Sequence, residues 1–276
     1  MPESPADDKP NFPSLPIVTP DVNRRGLRER YGLLYYLALI GLCLLTTLIL
    51  NFGYGVWLLR DVWTDVSTLY DPGRPEVARI EAARRIAATP SLTDPQRWEF
   101  LRGWLGNLPK PARFVLAEGL TADVLANDVG GYANTVATSD SLPDWLRLLL
   151  MRPMALAASD RIAIPRAPLD TLLGWNDVDI RLWAAYTIAL MRDGDPKALG
   201  DLVTAASKPG PGHELAKRLL AAARAQPKDR LRLLNEAAAW QRAHRADFDE
   251  IWKDWKIVDG HVTHIEPTKP ESATKK

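Results

Sequence analysis

An arginine recurs every 34 residues through the middle of this 276-residue chain, at Arg79, Arg113, Arg147 and Arg181. The first and last open similar lines: Arg79-Ile-Glu-Ala-Ala-Arg-Arg-Ile-Ala87 and Arg181-Leu-Trp-Ala-Ala-Tyr-Thr-Ile-Ala189 share five of nine residues. The lines between them diverge more, Arg113-Phe-Val-Leu-Ala117 with Leu120, and Arg147-Leu-Leu-Leu150 with Met154-Ala155. A fifth copy begins three residues late at Arg218, with Ala221-Ala222 in place. Self-similarity at such a period marks stacked helical hairpins, and two helices of roughly 10–14 residues with two turns fill it. In the repeat helix the paired alanines let a neighbour approach closely, while Ile86 and Ile188 fill the gaps one turn later. The segment Ile180–Leu190 is apolar nearly all round, as expected of a helix sandwiched between others.

The remainder of the chain divides around this region. Residues 1–30 read as a disordered, proline-rich tail with a basic end, and residues 60–75 as a connector closing in the turn Asp71-Pro-Gly-Arg-Pro75. The repeat region spans 76–245. A helix and hairpin follow over 246–265, where Asp259-Gly260 separates two β-branched runs, and 266–276 form a disordered tail. A lone hairpin is marginal in water, so Trp252 and Trp255 are expected to seat it on the last helices.

No charged residue lies between Tyr31 and Leu59. A helix over that leucine-rich run reaches roughly 40 Å, enough to cross a bilayer, and a transmembrane helix over 31–59 is expected. Arg24, Arg25, Arg28 and Arg30 precede it, which predicts a cytoplasmic N-terminus, single-pass anchorage in the cell (inner) membrane and an extracytoplasmic C-terminal domain. The run is too long for a signal peptide and no small-residue cleavage pattern follows it. Tyr31, Tyr35 and Tyr36 at one end, and Tyr54, Trp57 and Trp63 at the other, fit interfacial belts. Cys43, Thr47, Asn51 and Gly55 recur every fourth residue and predict a face for packing against another span, through which the chain could form a homo-oligomer. Cys43 is the only cysteine, so the region after it makes no disulfide of its own.

Residues 169–203 carry a resemblance. Leu172-Leu-Gly-Trp-Asn-Asp-Val-Asp-Ile-Arg-Leu-Trp-Ala-Ala-Tyr-Thr-Ile-Ala-Leu190, followed by Gly194-Asp-Pro-Lys-Ala-Leu199, resembles a HEAT-like repeat of the phycobilisome-lyase type. The likeness is good over one unit, fair around 75–88 and poor between 105 and 160, where Pro153 departs from the pattern and should kink or end its helix. The resemblance implies an α-solenoid that binds other proteins, and does not imply lyase activity.

Candidates for chemistry are sparse. His261 and His264 stand three apart, so on a strand they face oppositely and do not suit one metal; His213 and His244 lack evident partners. Asp247, Asp249, Glu250 and Asp254 read as a solvated helix face. Gly130-Gly131 and Gly210-Pro-Gly212 lack the context of a phosphate cradle, and Ser139, Ser141 and Ser159 lack that of a nucleophile elbow. No cofactor is implied. A net charge of +1 without a basic stripe argues against nucleic acid. The expected fold class is thus all-α, a transmembrane helix followed by a short solenoid. The expected function is a membrane-anchored protein-interaction or scaffold module with an unidentified protein partner and the lipid bilayer as its surroundings. Trp145, Trp175 and Trp183 are its candidate anchors. The alternative is an enzyme or small-ligand binder using a groove of the solenoid.

Overall fold

Helix starts in the computed structural model keep the spacing of the arginines. The model describes residues 32, 37–47, 49, 62–103, 105–258 and 261–265. They belong to two units, 1–57 and 58–276.

In the first unit, residues 37–47 are helical and exposed, including Leu37, Ile40, Leu42 and Leu44. Among the described residues no helix is long and apolar enough to cross a membrane. The transmembrane helix expected over 31–59 is therefore corrected: the continuous described helix spans about 16 Å at 1.5 Å per residue, half of a ~30 Å hydrocarbon core. The expected packing face is divided. Cys43 and Thr47 lie on this helix, with the Thr47 hydroxyl turned back to its own backbone, donating to the Cys43 carbonyl at 2.8 Å. Asn51 and Gly55 lie outside the described residues, as do the two tails and the belt residues Tyr31, Tyr35, Tyr36, Tyr54 and Trp57.

The second unit is mostly helical with a small antiparallel hairpin at its end. Its first helix, α1 (62–70), occupies the stretch expected to be a connector, because Val62 and Leu69 are buried in the core. Then α2 (Glu76–Ala88), α4 (Lys110–Glu118), α6 (Asp144–Ser159) and α8 (Val178–Leu190) each begin 34 residues after the last, and α10 (His213–Arg224) one residue later still. Pro75, Pro109 and Pro143 precede the first three, their ring-fixed φ and extended ψ setting the entry of each helix. Asp177 caps the fourth through its carboxylate, which accepts from the Asp179 and Ile180 amides. Between these lie α3 (Asp94–Arg102), a 3₁₀ turn (Ala122–Leu125), α5 (Val129–Thr138), α7 (Arg166–Leu173) and α9 (Pro196–Ser207). The even helices pack on one another in chain order to form a first row; α3, α5, α7 and α9 pack against it as a second. This arrangement is compatible with a helical repeat.

Equivalent positions of the first row are buried alike. Ala82, Leu116, Leu150 and Ala184 stand at one position, and Ile86, Leu120, Met154 and Ile188 one turn later. Among the four helices of the exact 34-residue series the alanine pair survives in α2 and α8, whereas α6 fills the same space with leucine and methionine. This explains why the middle lines look divergent. Pro153 does not end α6, which runs through it to Ser159. Of the helix's sixteen residues only Arg152, Asp144 and Ser159 escape full burial, and that apolar burial offsets the ~3 kcal/mol cost of an interior proline. Gly212, before α10, has φ +76°, and a Cβ there would meet Leu182 and Val178 at 2.7 Å.

The recurrent arginine is the fourth residue of α2, α4, α6 and α8. At three of the four positions it donates to carbonyls of a helix end or loop next to its helix. Arg79 donates to Leu69 O at 3.0 Å and Asn107 O at 2.6 Å. Arg147, 1 % exposed, donates to Ser139 O at 3.0 Å, Leu142 O at 3.2 Å and also Val136 O. Arg181 donates to Trp175 O at 2.6 Å and Asn176 O at 2.9 Å. Arg113 is held differently, with its guanidinium 5.9 Å from the Trp145 ring. Burial lowers the pKa of Arg113 and Arg147, yet both remain cations at neutral pH.

Two outcomes are expected. Arg147→Met leaves Val136 O and Leu142 O unpaired in a sealed site, Ser139 O keeping the Leu142 amide, and should cost about 3 kcal/mol in urea unfolding, more than Arg181→Met, whose two carbonyls lie nearer solvent; equal costs would contradict the carbonyl role. Tyr132 is fully buried with its hydroxyl on Leu150 O at 3.0 Å, and burial, helped by Asp94, holds its pKa well above 10.0. The folded state thus retains a proton that the unfolded chain sheds, so this contribution is whole below about pH 10 and declines as pH rises past it. Tyr132→Phe should lose about 1 kcal/mol at neutral pH but show a shallower decline of stability above pH 10; an unchanged slope would count against this.

Candidate functional site

After α10 the chain reverses along the first row. The long helix α11 (Pro227–His244) packs on α10 and on α6. Gln241, 3 % exposed, accepts from Trp183 Nε1 at 3.1 Å and donates to Asp179 Oδ2 at 2.9 Å, which fixes α11 to α8. Beyond it, Arg245 places Nη1 at 2.8 Å from Asp177 Oδ2 and 3.1 Å from Asp179 Oδ2, while Nη2 and Nε engage the Asp247 carboxylate at 2.7 and 3.0 Å. Burial by itself would lower this guanidinium, but hydrogen bonds to Asp247 and Asp177 with their charges hold it well above its ordinary value.

A short helix, α12 (Ala246–Asp249), then brings the strap to α4. The rings of Phe248 and Trp252 meet Phe114 edge-on, with centroids 6.1 and 6.0 Å away, a geometry worth about 1 kcal/mol per pair beyond the area buried. Finally β1 (Trp255–Val258) pairs with β2 (His261–His264) in the register Trp255↔His264 and Val258↔His261. Strand β2 rests on α2: Val262 is buried and its amide donates to the Glu81 carboxylate. Residues 241–265 thus touch α8, α4 and α2 in turn, the reverse of chain order.

One opening remains beside the strap. Glu118, Arg152, Asn235, Ala238 and Arg242 line a cavity of about 240 Å³ where α4, α6 and α11 meet. Arg242 pairs with Glu118 at 3.2 Å. Arg152 donates to the Glu118 carbonyl at 2.9 Å and to Asn235 Oδ1 at 3.0 Å. Burial, and then the charge of Arg242, lower the Arg152 pKa. Another recess of about 270 Å³ lies by Gln96 and Asp128. Those two side chains are committed to helix caps, through the Thr93 amide at 2.9 Å and the Gly131 amide at 2.7 Å.

The sequence candidates are placed elsewhere. Trp145 and Trp183 are core, and Trp175 is half-buried over Arg147, 4.1 Å from its guanidinium, with Nε1 donating to Asp144 at 2.9 Å. Trp63, expected in an interfacial belt, is exposed on α1. His264 packs edge-on to Trp255, His261 lies 3.8 Å from Glu81, and His244 stacks on Trp240. Among the described residues no three His, Cys, Asp or Glu side chains gather as a metal site would require. The Ser139 and Ser141 hydroxyls bond each other, and Ser159 lies 3.3 Å from the Tyr186 hydroxyl, so none of the three is paired with a base. The acidic cluster splits: Asp247 joins Arg245, while Asp249, Glu250 and Asp254 face solvent. Sequence reasoning missed Gln241 and Arg245. Their partners on α8 and its cap, Trp183, Asp179 and Asp177, lie 58 to 68 positions away, and no local pattern links them.

Arg245→Ala should leave Asp177 and Asp179 facing each other and loosen the strap at a cost of about 2 kcal/mol. Hydrogen exchange at the Val262 amide should then quicken by more than tenfold; protection equal to the native chain would show that Arg245 does not hold the strap. Comparison with family models, curated proteins and solved structures finds no match to this chain.

Proposed function

We propose that this chain is a helical-repeat protein-interaction module whose first row of helices receives a polypeptide segment. The observation that carries the reading is the strap itself. Side chains from three repeated helices, Glu81 on α2, Phe114 on α4 and Asp179 with Trp183 on α8, already hold a run of chain through an amide, two aromatic rings, a glutamine and an arginine. These are the contacts by which a groove recognises a peptide: buried aromatic anchors with polar groups fixing register. The HEAT-like pattern of residues 169–203 supports the same reading, since stacked helical repeats use continuous surfaces for binding. The mechanism is non-covalent: the apolar surface of Phe114 supplies affinity, and Asp177 with Asp179 selects a cationic residue, here Arg245.

A peptide of residues 245–265, with a photo-reactive benzoylphenylalanine in place of Trp252, tests this on the full chain carrying Arg245→Glu. Cross-linking to α4 near Phe114, absent for a scrambled peptide, is expected. Equal labelling by both peptides would contradict the reading.

A further inference from the structure

The cavity between α4, α6 and α11 has a charge that its own residues do not balance. Arg242 takes the Glu118 carboxylate at 3.2 Å, and Arg232 takes that of Glu236. Arg152 hydrogen-bonds neutral acceptors, a backbone carbonyl and the Asn235 amide oxygen, and feels the Glu118 and Asp94 carboxylates only at longer range, so two guanidinium groups share the single carboxylate that lines the cavity. Arg79, Arg147 and Arg181 also use neutral carbonyls; Arg147 is sealed, 1 % exposed beneath Trp175, and Arg79 and Arg181 are half-buried, each holding loop carbonyls. Arg152 instead lines an open cavity of about 240 Å³, beside a second cation. Asn235 also borders a shallow strip along α11 with Lys228, Leu231, Arg232, Glu236 and Ala239, where Glu236 is held by Arg232, Lys228 adds a further cation and Leu231 is 55 % exposed. These residues follow helical spacing from Lys228 to Arg242, a stripe of about 20 Å that matches an extended segment of about six residues.

We propose that this stripe binds an acidic segment of a partner protein, with one carboxylate entering the cavity between Arg152 and Arg242 and an adjoining apolar side chain covering Leu231. The inference deepens the interaction reading above by giving the partner's chemistry at a second surface. It is independent of whether the strap's groove accepts a peptide in trans. Guanidinium pairs hold a carboxylate through several directed N–H bonds, so arginine here is not interchangeable with a diffuse positive charge.

The test is fluorescence anisotropy of a labelled hexaglutamate peptide with the full chain. Binding is expected, reduced at least tenfold by Arg152→Gln, retained within threefold by Lys208→Gln on exposed α9's end, and absent for hexaglutamine. Arg152→Gln is to be checked for native helicity and unfolding midpoint. The Asn235 side-chain amide of the native chain should also shift in NMR spectra on titration, which reports the site without any substitution. No binding, equal weakening by both variants, or an unmoved Asn235 amide would overturn the proposal. Displacement of the peptide by glutarate at equal molar affinity would overturn it too, because a small acid would then satisfy the site. Cross-linking of the strap peptide at α4 together with no hexaglutamate binding would sink this inference alone.

Discussion

The guanidinium at the fourth residue of a first-row helix ties that helix to the loop delivering it. Arg79, Arg147 and Arg181 each donate to carbonyls that precede or bracket their helix, groups that would otherwise be partly buried without donors. Because loop, cap and arginine form one unit, the distance between arginines is also the distance between helix starts. The even helices can then stack with equivalent side chains at equivalent depth, Ile86 in α2 doing what Ile188 does in α8. A delocalised cation satisfies two or three acceptors at once and stays charged even at Arg147, where the setting is dry. Arg113 shows a variation, lying near Trp145, in keeping with a divergent line of sequence.

Stacked helical rows normally leave one long face to solvent. Here the chain covers much of that face itself. Apolar contact at Phe114, hydrogen bonding at Gln241 and ion pairing at Arg245 come from the single segment 241–265, and the hairpin that ends it gains on α2 the packing that a free hairpin lacks. The surface left over differs in character. It includes an α11 stripe and the Arg152 cavity, where cations outnumber the carboxylates of Glu118 and Glu236 around an exposed leucine.

What could be read beforehand and what could not follow from range. The helical period, the arginines and the terminal hairpin are local signals repeated or bounded within a few residues. The strap is written in single residues: nothing near Arg245 announces Asp177, 68 positions earlier, and Phe114 looked like a weaker repeat position rather than an anchor. Pro153 misled because its local cost was judged without the burial of α6. The tryptophans misled in the other direction, since large aromatics suit both interfaces and cores, and Trp183 is wholly core. Length and composition make the run 31–59 look like a span, while the continuous helix among the described residues within it, 37–47, is too short to cross a bilayer.

The central claim is that the C-terminal strap lies on the first row, with Phe114 gripped by Phe248 and Trp252. The direct measurement is a set of inter-ring proton NOEs in the full chain with selectively labelled aromatic residues. Cross-peaks from Phe114 to both Phe248 and Trp252 are expected, since their centroids stand about 6 Å apart. Random-coil shifts for Phe248 and Trp252, with no cross-peak to Phe114, would contradict the account.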